Sequence, residues 1–239
     1  MAVLDQEEVP YLSHSKLVCW ERCPRCYLRQ YVLGEVEDTP AMLRGRVFHA
    51  AARDFYRDRA GGALPTVDKL LRGLPGAREL SDDMRNRVRN ALTLLRFHRW
   101  DDHAVVSVER PFFLDLAGGL PPVIGVSDLI LRKGHTLVVV DHKTCTKFES
   151  EDSSQLVLYA EHARRRHATE CVVGIYDVYR LVPDLDRVTK TAFRRIPVSV
   201  DRSLLPPLVK RYQRAWRGIV KIHRERTAEA SGECWRCGR

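Results

Sequence analysis

The segment from residue 136 to residue 179 constrains the fold of this chain more than any other. The apolar run Leu137-Val138-Val139-Val140 predicts a buried strand that continues to Asp141. Residues 153–166 have the pattern of a helix, and residues 171–179 begin with a nearly continuous apolar run typical of a second buried strand. A strand, a helix and a strand in this order predict a right-handed parallel crossover, so we expect an α/β fold.

The flanking segments predict a mixed sheet and helices at both ends of the chain. Because Lys133-Gly134-His135 joins two strand-like segments, we expect an antiparallel hairpin directly before the crossover. The other segments predicted as strands are 105–109 and 112–116, on either side of Pro111, and 188–200 at an edge. The segments predicted as helices are 13–33, capped by Ser13 or Ser15, then 41–58, the segment after Ser81 to about residue 100, and 203–229. Pro24 either interrupts the first of these helices or begins a second one.

The length and composition are those of a globular domain with a basic surface. The chain has 239 residues, of which 44% are hydrophobic and 30% charged, and its formal net charge is +9. We expect a single domain over residues 1–239, with a helical part at about 11–100, a sheet core at about 104–200, and a C-terminal helix and cysteine-bearing tail at about 203–239. No apolar stretch is long enough for a membrane span, and no export signal is visible, so we expect a cytoplasmic protein without a membrane partner. The excess positive charge favours binding to polyanions such as nucleic acids, although solubility alone would also explain it.

Two acidic residues and a lysine mark the ends of adjacent predicted strands. Asp141 follows the apolar run, Lys143 lies two residues further on the same side of the strand, and Asp128 lies in the preceding strand. A carboxylate in an otherwise apolar strand is costly unless it is paired, hydrogen-bonded or bound to a metal ion. Two carboxylates that share a divalent cation beside a lysine indicate metal-assisted hydrolysis of a phosphodiester.

Two helical pairs could complete such a site. Gly45 lies one turn before His49, which leaves a bare patch on the helix face that carries the histidine, where another backbone or a substrate could approach. Gln155 and Tyr159 are also one turn apart, on the helix that follows Lys143. Each pair alone is equally compatible with an ordinary surface or packing role.

The order of these motifs resembles that of a known family. Gly45…His49, Gly125…Asp128, Asp141-His142-Lys143 and Gln155…Tyr159 follow the order of GxxxH, GxxD, DxK and QxxxY in the RecB-like nucleases of the PD-(D/E)XK superfamily, including CRISPR-adaptation nucleases. The opening Ser13-His14-Ser15-Lys16-Leu17 and Cys23-Pro24-Arg25-Cys26-Tyr27 are similar to the S-x-S-x-L and C-P-x-x-Y at the start of that family. The resemblance extends from about residue 11 to residue 239. It implies a restriction-endonuclease-like mixed sheet flanked by helices.

The resemblance also implies a role for each matching position. His49, Asp128, Asp141 and the backbone carbonyl of His142 would hold a Mg²⁺ or Mn²⁺ ion, and the imidazole would shift the preference toward Mn²⁺. Lys143 would orient or help to deprotonate the attacking water and offset phosphate charge, while Gln155 and Tyr159 would position Lys143 or a backbone phosphate. The catalytic residues expected on this basis are Asp128, Asp141, Lys143, Gln155 and Tyr159, with Glu109 as a further supporting residue.

Four of the seven cysteines form two CxxC pairs. Cys23 and Cys26 lie near the start of the sequence, and Cys234 and Cys237 near its end. Two such pairs together predict a tetrathiolate site for zinc or an iron–sulfur cluster, and four reduced thiols are the alternative. The resemblance favours [4Fe–4S] over structural Zn²⁺, although the family uses one N-terminal and three C-terminal cysteines. Cys19, one turn before Cys23, could take the place of Cys26.

The sequence therefore predicts a metal-dependent DNA nuclease. We expect a single-strand exonuclease or DNA-end-processing enzyme that acts in recombination, repair or CRISPR adaptation, with proteins of those processes as partners. The first alternative is a non-cleaving DNA-binding subunit of a helicase–nuclease or CRISPR complex. The second is a structural adaptor held together by zinc. Retention of His49, Asp128, Asp141 and Lys143 argues against the first alternative, because a decayed site usually loses one of these residues.

Overall fold

The computed structural model describes residues 11–35, 39–116, 118–148, 152–185, 192–232 and 234. The chain groups into two compact units, each assembled from separate segments of the sequence. The first unit consists of residues 1–37, 111–125 and 201–239, and the second of residues 38–110 and 126–200. The expectation of a single domain stays a prediction.

Five strands form one mixed sheet in the order β1-β2-β3-β4-β5. Their bounds are β1 Ala104–Leu114, β2 Val123–Lys133, β3 Thr136–Cys145, β4 Val172–Arg180 and β5 Phe193–Val198. β2 and β3 pair antiparallel, β3 and β4 pair parallel, and β4 and β5 pair antiparallel. The hairpin and the parallel crossover are therefore confirmed, and so is the α/β fold. Part of the predicted edge strand, residues 188–191, lies outside the described residues.

The prediction of two strands around Pro111 is wrong, because β1 continues through that proline as one strand. Proline cannot donate a hydrogen bond to a neighbouring strand, which is why it is usually confined to sheet edges. β1 is an edge strand in the observed order, so the missing donor does not interrupt the sheet.

Seven α-helices complete the described part of the chain. They are α1 His14–Arg22, α2 Pro24–Tyr27, α3 Pro40–Ala60, α4 Val67–Arg72, α5 Asp82–Phe97, α6 Ser154–His167 and α7 Leu205–Glu225. Short helical turns of other types are Leu28–Val32, Pro75–Arg78 and Arg202–Leu204. Ser13 caps α1 by accepting a hydrogen bond from the Lys16 N–H, and the interruption predicted at Pro24 separates α1 from α2. None of the helices in the described residues is long and apolar enough to cross a membrane.

In the second unit, helices cover both faces of the sheet. Phe48 of α3 and Leu92 of α5 share a buried cluster with Val138 and Val140 of β3. Successive residues of a strand point to opposite faces, so Asp141 and Lys143 point away from that cluster. α6 packs on β3 and β4, and its Gln155 hydrogen-bonds to Lys143, so α6 lies on the face that carries these two residues.

In the first unit, α7 packs against α1. The apolar side of α7 is buried, and an added Cβ at Gly218 would overlap with the Trp20 indole of α1. The glycine therefore allows the two helices to approach closely. A bidentate ion pair between Arg211 and Glu21, with N–O distances of 2.7 and 3.1 Å, joins the same helices.

Candidate active site

The end of β3 places a carboxylate and an ammonium group side by side. Asp141 is buried, with 2% of its surface exposed, and Lys143 lies two residues further on the same face. The Lys143 Nζ is 2.8 Å from the Asp141 Oδ2. The lysine charge therefore offsets the cost of burying this carboxylate.

Asp128 of β2 and His49 of α3 meet at the same place. The Asp128 Oδ2 accepts a hydrogen bond of 2.8 Å from the backbone N–H of His142 and lies 3.4 Å from the His49 Nδ1. Burial raises the pKa of Asp128, and the negative charge of Asp141 raises it further. Groups from α3, β2 and β3 thus lie in one electrostatically coupled cluster.

The imidazole of His49 is neutral at pH 7, because burial lowers its pKa below the ordinary value. The charges of Asp141 and Lys143 act on it in opposite directions, which places it in the same electrostatic environment as those two groups. A neutral imidazole offers a nitrogen lone pair to a metal ion, whereas a protonated one does not.

Gln155 and Tyr159 of α6 extend the site through a chain of hydrogen bonds. The Lys143 Nζ donates to the Gln155 Oε1 at 2.8 Å, and the Gln155 Nε2 donates to the Tyr159 hydroxyl at 2.6 Å. Burial raises the pKa of Tyr159, so its hydroxyl keeps its proton at neutral pH. Gln155 and Tyr159 share one face of α6 because they are one turn apart. Their hydrogen bonds hold the Lys143 ammonium group between Asp141 and α6.

The side chain of His142 points to the opposite face of the sheet. Its ring stacks on Tyr56 with centroids 5.7 Å apart and planes 11° apart, and neither ring nitrogen has a hydrogen-bond partner among the described residues. Burial lowers the pKa of His142 to about 3, so this imidazole is neutral. Only the backbone of His142 faces Asp128.

The donor set fits a hard divalent cation. One buried and one largely buried carboxylate beside a neutral imidazole are ligands that Mg²⁺ and Mn²⁺ accept, and a cation would relieve the repulsion that raises the pKa of Asp128. The potential ligand atoms of His49, Asp128 and Asp141 do not all lie within 4.8 Å of one another. Among the described residues, the one group of three His, Cys, Asp or Glu ligand atoms that all lie within 4.8 Å of one another is a cluster of cysteines.

Sequence reasoning missed two contacts of the site. Arg53, one turn after His49 on α3, lies with its Nη1 3.7 Å from the Glu109 carboxylate, and Glu109 adds to the negative potential at Asp128. Tyr176 of β4 pairs with Asp141 in the parallel register, and the Lys143 Nζ lies 5.5 Å from the centre of its ring. The spacing of His49 and Arg53 was a visible signal, whereas Tyr176 depends on the register between two strands.

Glu109 occupies an unusual backbone conformation. Its φ of +40° is in the left-handed region, which costs a non-glycine residue roughly 1–2 kcal/mol. Burial raises the pKa of its carboxyl, and Arg53 opposes that shift. The structure thus places Glu109 near the site, and its supporting role stays a prediction.

Three of the four predicted cysteine ligands come together in the first unit. The sulfur atoms of Cys23, Cys26 and Cys234 all lie within 4.8 Å of one another, and the Cys26 and Cys234 sulfurs are 3.4 Å apart. Cys237 lies outside the described residues. Cys19 does not take the place of Cys26, because its thiol instead contacts the Gln30 side chain at 3.7 Å.

The thiol of Cys23 is acidic. Burial opposes ionisation, but hydrogen bonds from the backbone N–H groups of Ser231 and Cys26 and from the thiols of Cys234 and Cys26 outweigh it and lower the Cys23 pKa to about 7. A thiolate is the form of cysteine that binds metal ions. The cluster therefore has the chemistry of a metal or iron–sulfur site.

Comparisons with known proteins agree with this geometry. The model of the PD-(D/E)XK nuclease superfamily matches residues 11–238, so the chain belongs to that superfamily. A protein of Eubacterium rectale described as a "putative exonuclease" has a similar structure, with a TM-score of 0.60, 12% sequence identity, and coverage of 99% of this chain and 92% of that chain. The structure of SSO0001 is 15% identical, with coverage of 78% of this chain and 82% of that chain and a TM-score of 0.34. No curated protein matches the sequence.

Proposed function

We propose that this member of the PD-(D/E)XK nuclease superfamily is a divalent-metal-dependent deoxyribonuclease that hydrolyses phosphodiester bonds in single strands or at DNA ends. One observation carries the proposal. His49, Asp128 and Asp141 come from α3, β2 and β3, yet they meet beside the Lys143 ammonium group. An ordinary ion pair would explain Asp141 and Lys143 but not the largely buried second carboxylate, Asp128, or the imidazole.

In the proposed site, His49, Asp128, Asp141 and the backbone carbonyl of His142 would hold Mg²⁺ or Mn²⁺. A bound cation of this kind polarises a phosphate and lowers the pKa of a bound water. Asp128 is oriented for this role by the His142 N–H, which fixes one of its oxygens. The neutral His49 favours Mn²⁺, because imidazole is a softer ligand than a carboxylate oxygen.

Lys143 is proposed to act on the phosphate and on the attacking water. Asp141 and Gln155 hold its ammonium group from two sides, each at 2.8 Å, so the side chain is positioned before substrate binds. A fixed positive charge stabilises the negative charge that develops on the phosphate in the transition state. Tyr159 fixes Gln155 and thereby supports the lysine.

The cysteine cluster is proposed to hold a [4Fe–4S] cluster through Cys23, Cys26, Cys234 and Cys237, with structural Zn²⁺ as the alternative. The proximity of the first three sulfur atoms supports ligation in general but does not favour one metal over the other. Brown protein with a visible charge-transfer band would support iron–sulfur. Colourless protein with one zinc ion per chain would reject it in favour of zinc.

Substrate and pathway are proposed from less direct observations. The net charge of +9 favours a polyanion, and the Eubacterium rectale neighbour is described as a "putative exonuclease". We propose a RecB-like enzyme that processes single-stranded DNA or free ends in recombination, repair or CRISPR adaptation, alongside proteins of those processes.

A cleavage time course tests the proposed activity. Single- and double-stranded DNA, labelled at one end, is incubated with Mg²⁺, Mn²⁺ or a chelator. We expect metal-dependent degradation that falls about 100-fold or more in Lys143→Ala, since positioned acid–base groups contribute at least this much. We expect a comparable loss in Asp128→Asn, because it removes the charge of a proposed metal ligand. Lys147→Ala is the matched control, because Lys147 is an exposed lysine four residues beyond Lys143.

The same assay separates the competing functions. Folded wild-type protein that binds DNA but does not cut it with either metal would overturn the nuclease proposal and favour a non-cleaving subunit. The position of the label in the first products shows the polarity of cleavage.

A further inference from the structure

One face of α6 carries residues of the candidate active site at its start and basic side chains at its end, with the buried Tyr159 between them. Gln155, Tyr159, His162 and Arg166 follow one another at spacings of four, three and four residues, so they lie on one face of the helix. The first two belong to the site described above, and the last two are basic. Eleven residues of helix separate Gln155 from Arg166 by about 16 Å.

The sheet places a further arginine at the far end of this helix. α6 begins where Gln155 bonds to Lys143 and then leads back to β4, which pairs parallel to β3. Arg166 therefore lies toward the start of β3. Arg132 of β2 pairs with Leu137 at that same end of β3 and points to the same face as Asp128.

Electrostatic interactions link the arginines to two histidines at the end of α6. Burial lowers the pKa of His162 and of His167, and the positive charges of nearby arginines lower both further. Arg110 and Arg166 act on both histidines, and Arg132 acts on His167. We name this group the basic stripe; its members are Arg110, Arg132, His162, Arg166 and His167.

The positive charge of the basic stripe is not neutralised within the described part of the second unit. Arg110, Arg132 and Arg166 are exposed, and none of them forms an ion pair with a carboxylate of the described residues. Two neighbours on the same helix differ in this respect: Arg164 and Arg165 both pair with Glu161. Arg166 of α6, Arg110 of β1 and Arg132 of β2 therefore present their positive charge without an acidic partner among the described residues.

This inference rests on the proposed nuclease activity: we propose that a single strand of the substrate extends from the site at Lys143 to the basic stripe, where Arg110, Arg132 and Arg166 bind its phosphates. A strand that rises 3.4 Å per nucleotide covers the roughly 16 Å between Gln155 and Arg166 in about five nucleotides. Arginine suits this role, because its planar guanidinium binds phosphate oxygens in pairs. An acidic protein surface is the competing occupant.

The test compares two triple variants that lose the same charge. Arg110→Gln/Arg132→Gln/Arg166→Gln removes the arginines of the basic stripe. Arg72→Gln/Arg78→Gln/Arg165→Gln removes three exposed arginines that do not belong to it. Binding of a 20-nucleotide oligothymidylate is measured in chelator over a range of salt concentrations, after circular dichroism has shown that both variants are folded.

We expect the first triple variant alone to bind the strand more weakly. The slope of log Kobs against log salt should be shallower by about 2, since each lost phosphate contact on a single strand contributes about 0.7. The two single variants should differ in the same way. Arg166→Gln should make the slope shallower by about 0.7, and Arg165→Gln should leave it unchanged. If both triple variants change the slope equally, the effect is one of overall charge and the proposed path is wrong.

Two further readouts separate this inference from the proposed activity. Cleavage of a two-nucleotide substrate should be unchanged in the first triple variant, whereas the KM for a 20-nucleotide strand should rise. Failure of wild-type protein to cut either substrate would overturn the proposed activity, while the binding slopes would still test the path. If the stripe variant loses binding to polyglutamate but not to DNA, the surface serves an acidic protein and the inference is overturned.

Discussion

At the scale of single residues, the central motif uses its middle residue only through the backbone. The His142 imidazole is buried on the face opposite the carboxylates, and both of its nitrogens lack a partner among the described residues. A buried polar group without a hydrogen bond costs about 1–3 kcal/mol. The His142 imidazole has no role in the proposed chemistry, which needs only the backbone carbonyl of His142.

We therefore expect His142→Phe to remain active and to become more stable. The substitution keeps a planar ring against Tyr56 and removes two unsatisfied nitrogens, so the free energy of unfolding should rise by about 1–3 kcal/mol in urea denaturation. His49→Phe is the contrasting variant, because it removes a proposed ligand and should abolish cleavage. Folded but inactive His142→Phe would show that the imidazole itself takes part.

Lys16 of the first unit is a buried amine without a carboxylate partner among the described residues. Its Nζ donates to the Tyr11 carbonyl at 3.2 Å and lies 3.5 Å from the centre of the Tyr11 ring. Burial lowers the pKa of Lys16 from its ordinary value to about 8. The folded state therefore binds a proton less readily than the unfolded state, so the buried charge destabilises the fold fully below pH 8.

Lys16→Met should stabilise the protein at pH 7 and lose this advantage at high pH. The wild-type lysine gives up its proton in the folded state as the pH rises from about 8 to about 10.5, which removes its destabilising effect. We expect a gain of roughly 1–2 kcal/mol at pH 7, after allowance for the lost contacts with Tyr11. Urea denaturation at pH 7, 8.5 and 10 measures it, and a gain that does not change with pH would contradict the account.

At the scale of elements, local periodicity predicted most of the helices and strands. Asp141 and Lys143 share a face because strands alternate, and Gln155 and Tyr159 share one because a helix repeats at about four residues. Contacts that depend on pairing between elements were not predictable in this way. Tyr176 reaches the site through the register of β3 and β4, and β1 passes through Pro111 because it lies at the sheet edge.

Two glycines in helices have different surroundings: Gly218 is crowded by a neighbouring helix, whereas Gly45 faces open space. A matched pair of alanine substitutions tests this difference. Gly218 of α7 faces the Trp20 indole, so an added Cβ must displace α1 or the ring. Beyond its chain neighbours and the nearby backbone of its own helix, an added Cβ at Gly45 of α3 would meet no atom of the described residues within 4 Å. In thermal denaturation we expect Gly218→Ala to lower stability by about 1–3 kcal/mol and Gly45→Ala to raise it by about 0.5–1 kcal/mol.

The cleavage assay then shows whether the open space at Gly45 is used by the substrate. Gly45 leaves a bare patch on the face that carries His49, and the structure shows open space there. If substrate occupies that space, Gly45→Ala raises the KM for DNA in spite of its greater stability. Equal destabilisation by both substitutions would contradict the packing described for α1 and α7.

At the scale of the whole molecule, the sequence predicted which residues meet but not how closely. His49, Asp128 and Asp141 converge from distant parts of the sequence because the hairpin, the crossover and α3 share one core. The two CxxC spacings predicted that cysteines would gather, and Cys234 indeed lies beside Cys23 and Cys26. The spacing of the cysteines does not show that Cys19 lies outside this cluster. That depends on the contact between the Cys19 thiol of α1 and the Gln30 side chain.

The Eubacterium rectale structure has a similar fold although only 12% of its residues are identical, so quite different sequences can form this fold. Burial patterns and turn positions specify the order and direction of strands, and many different apolar residues satisfy them. The chemistry depends on a few polar residues at the ends of those strands. This is why the motifs, rather than overall identity, carried the functional interpretation.

Binding of Mn²⁺ tests the central claim most directly, namely that His49, Asp128 and Asp141 share one cation. Electron paramagnetic resonance of purified protein titrated with Mn²⁺ should show one tight site per chain. That site should be lost in Asp128→Asn and Asp141→Asn, weakened in His49→Ala, and kept in Lys143→Ala and in the control Lys147→Ala. Unchanged Mn²⁺ binding in Asp128→Asn and Asp141→Asn would contradict the claim.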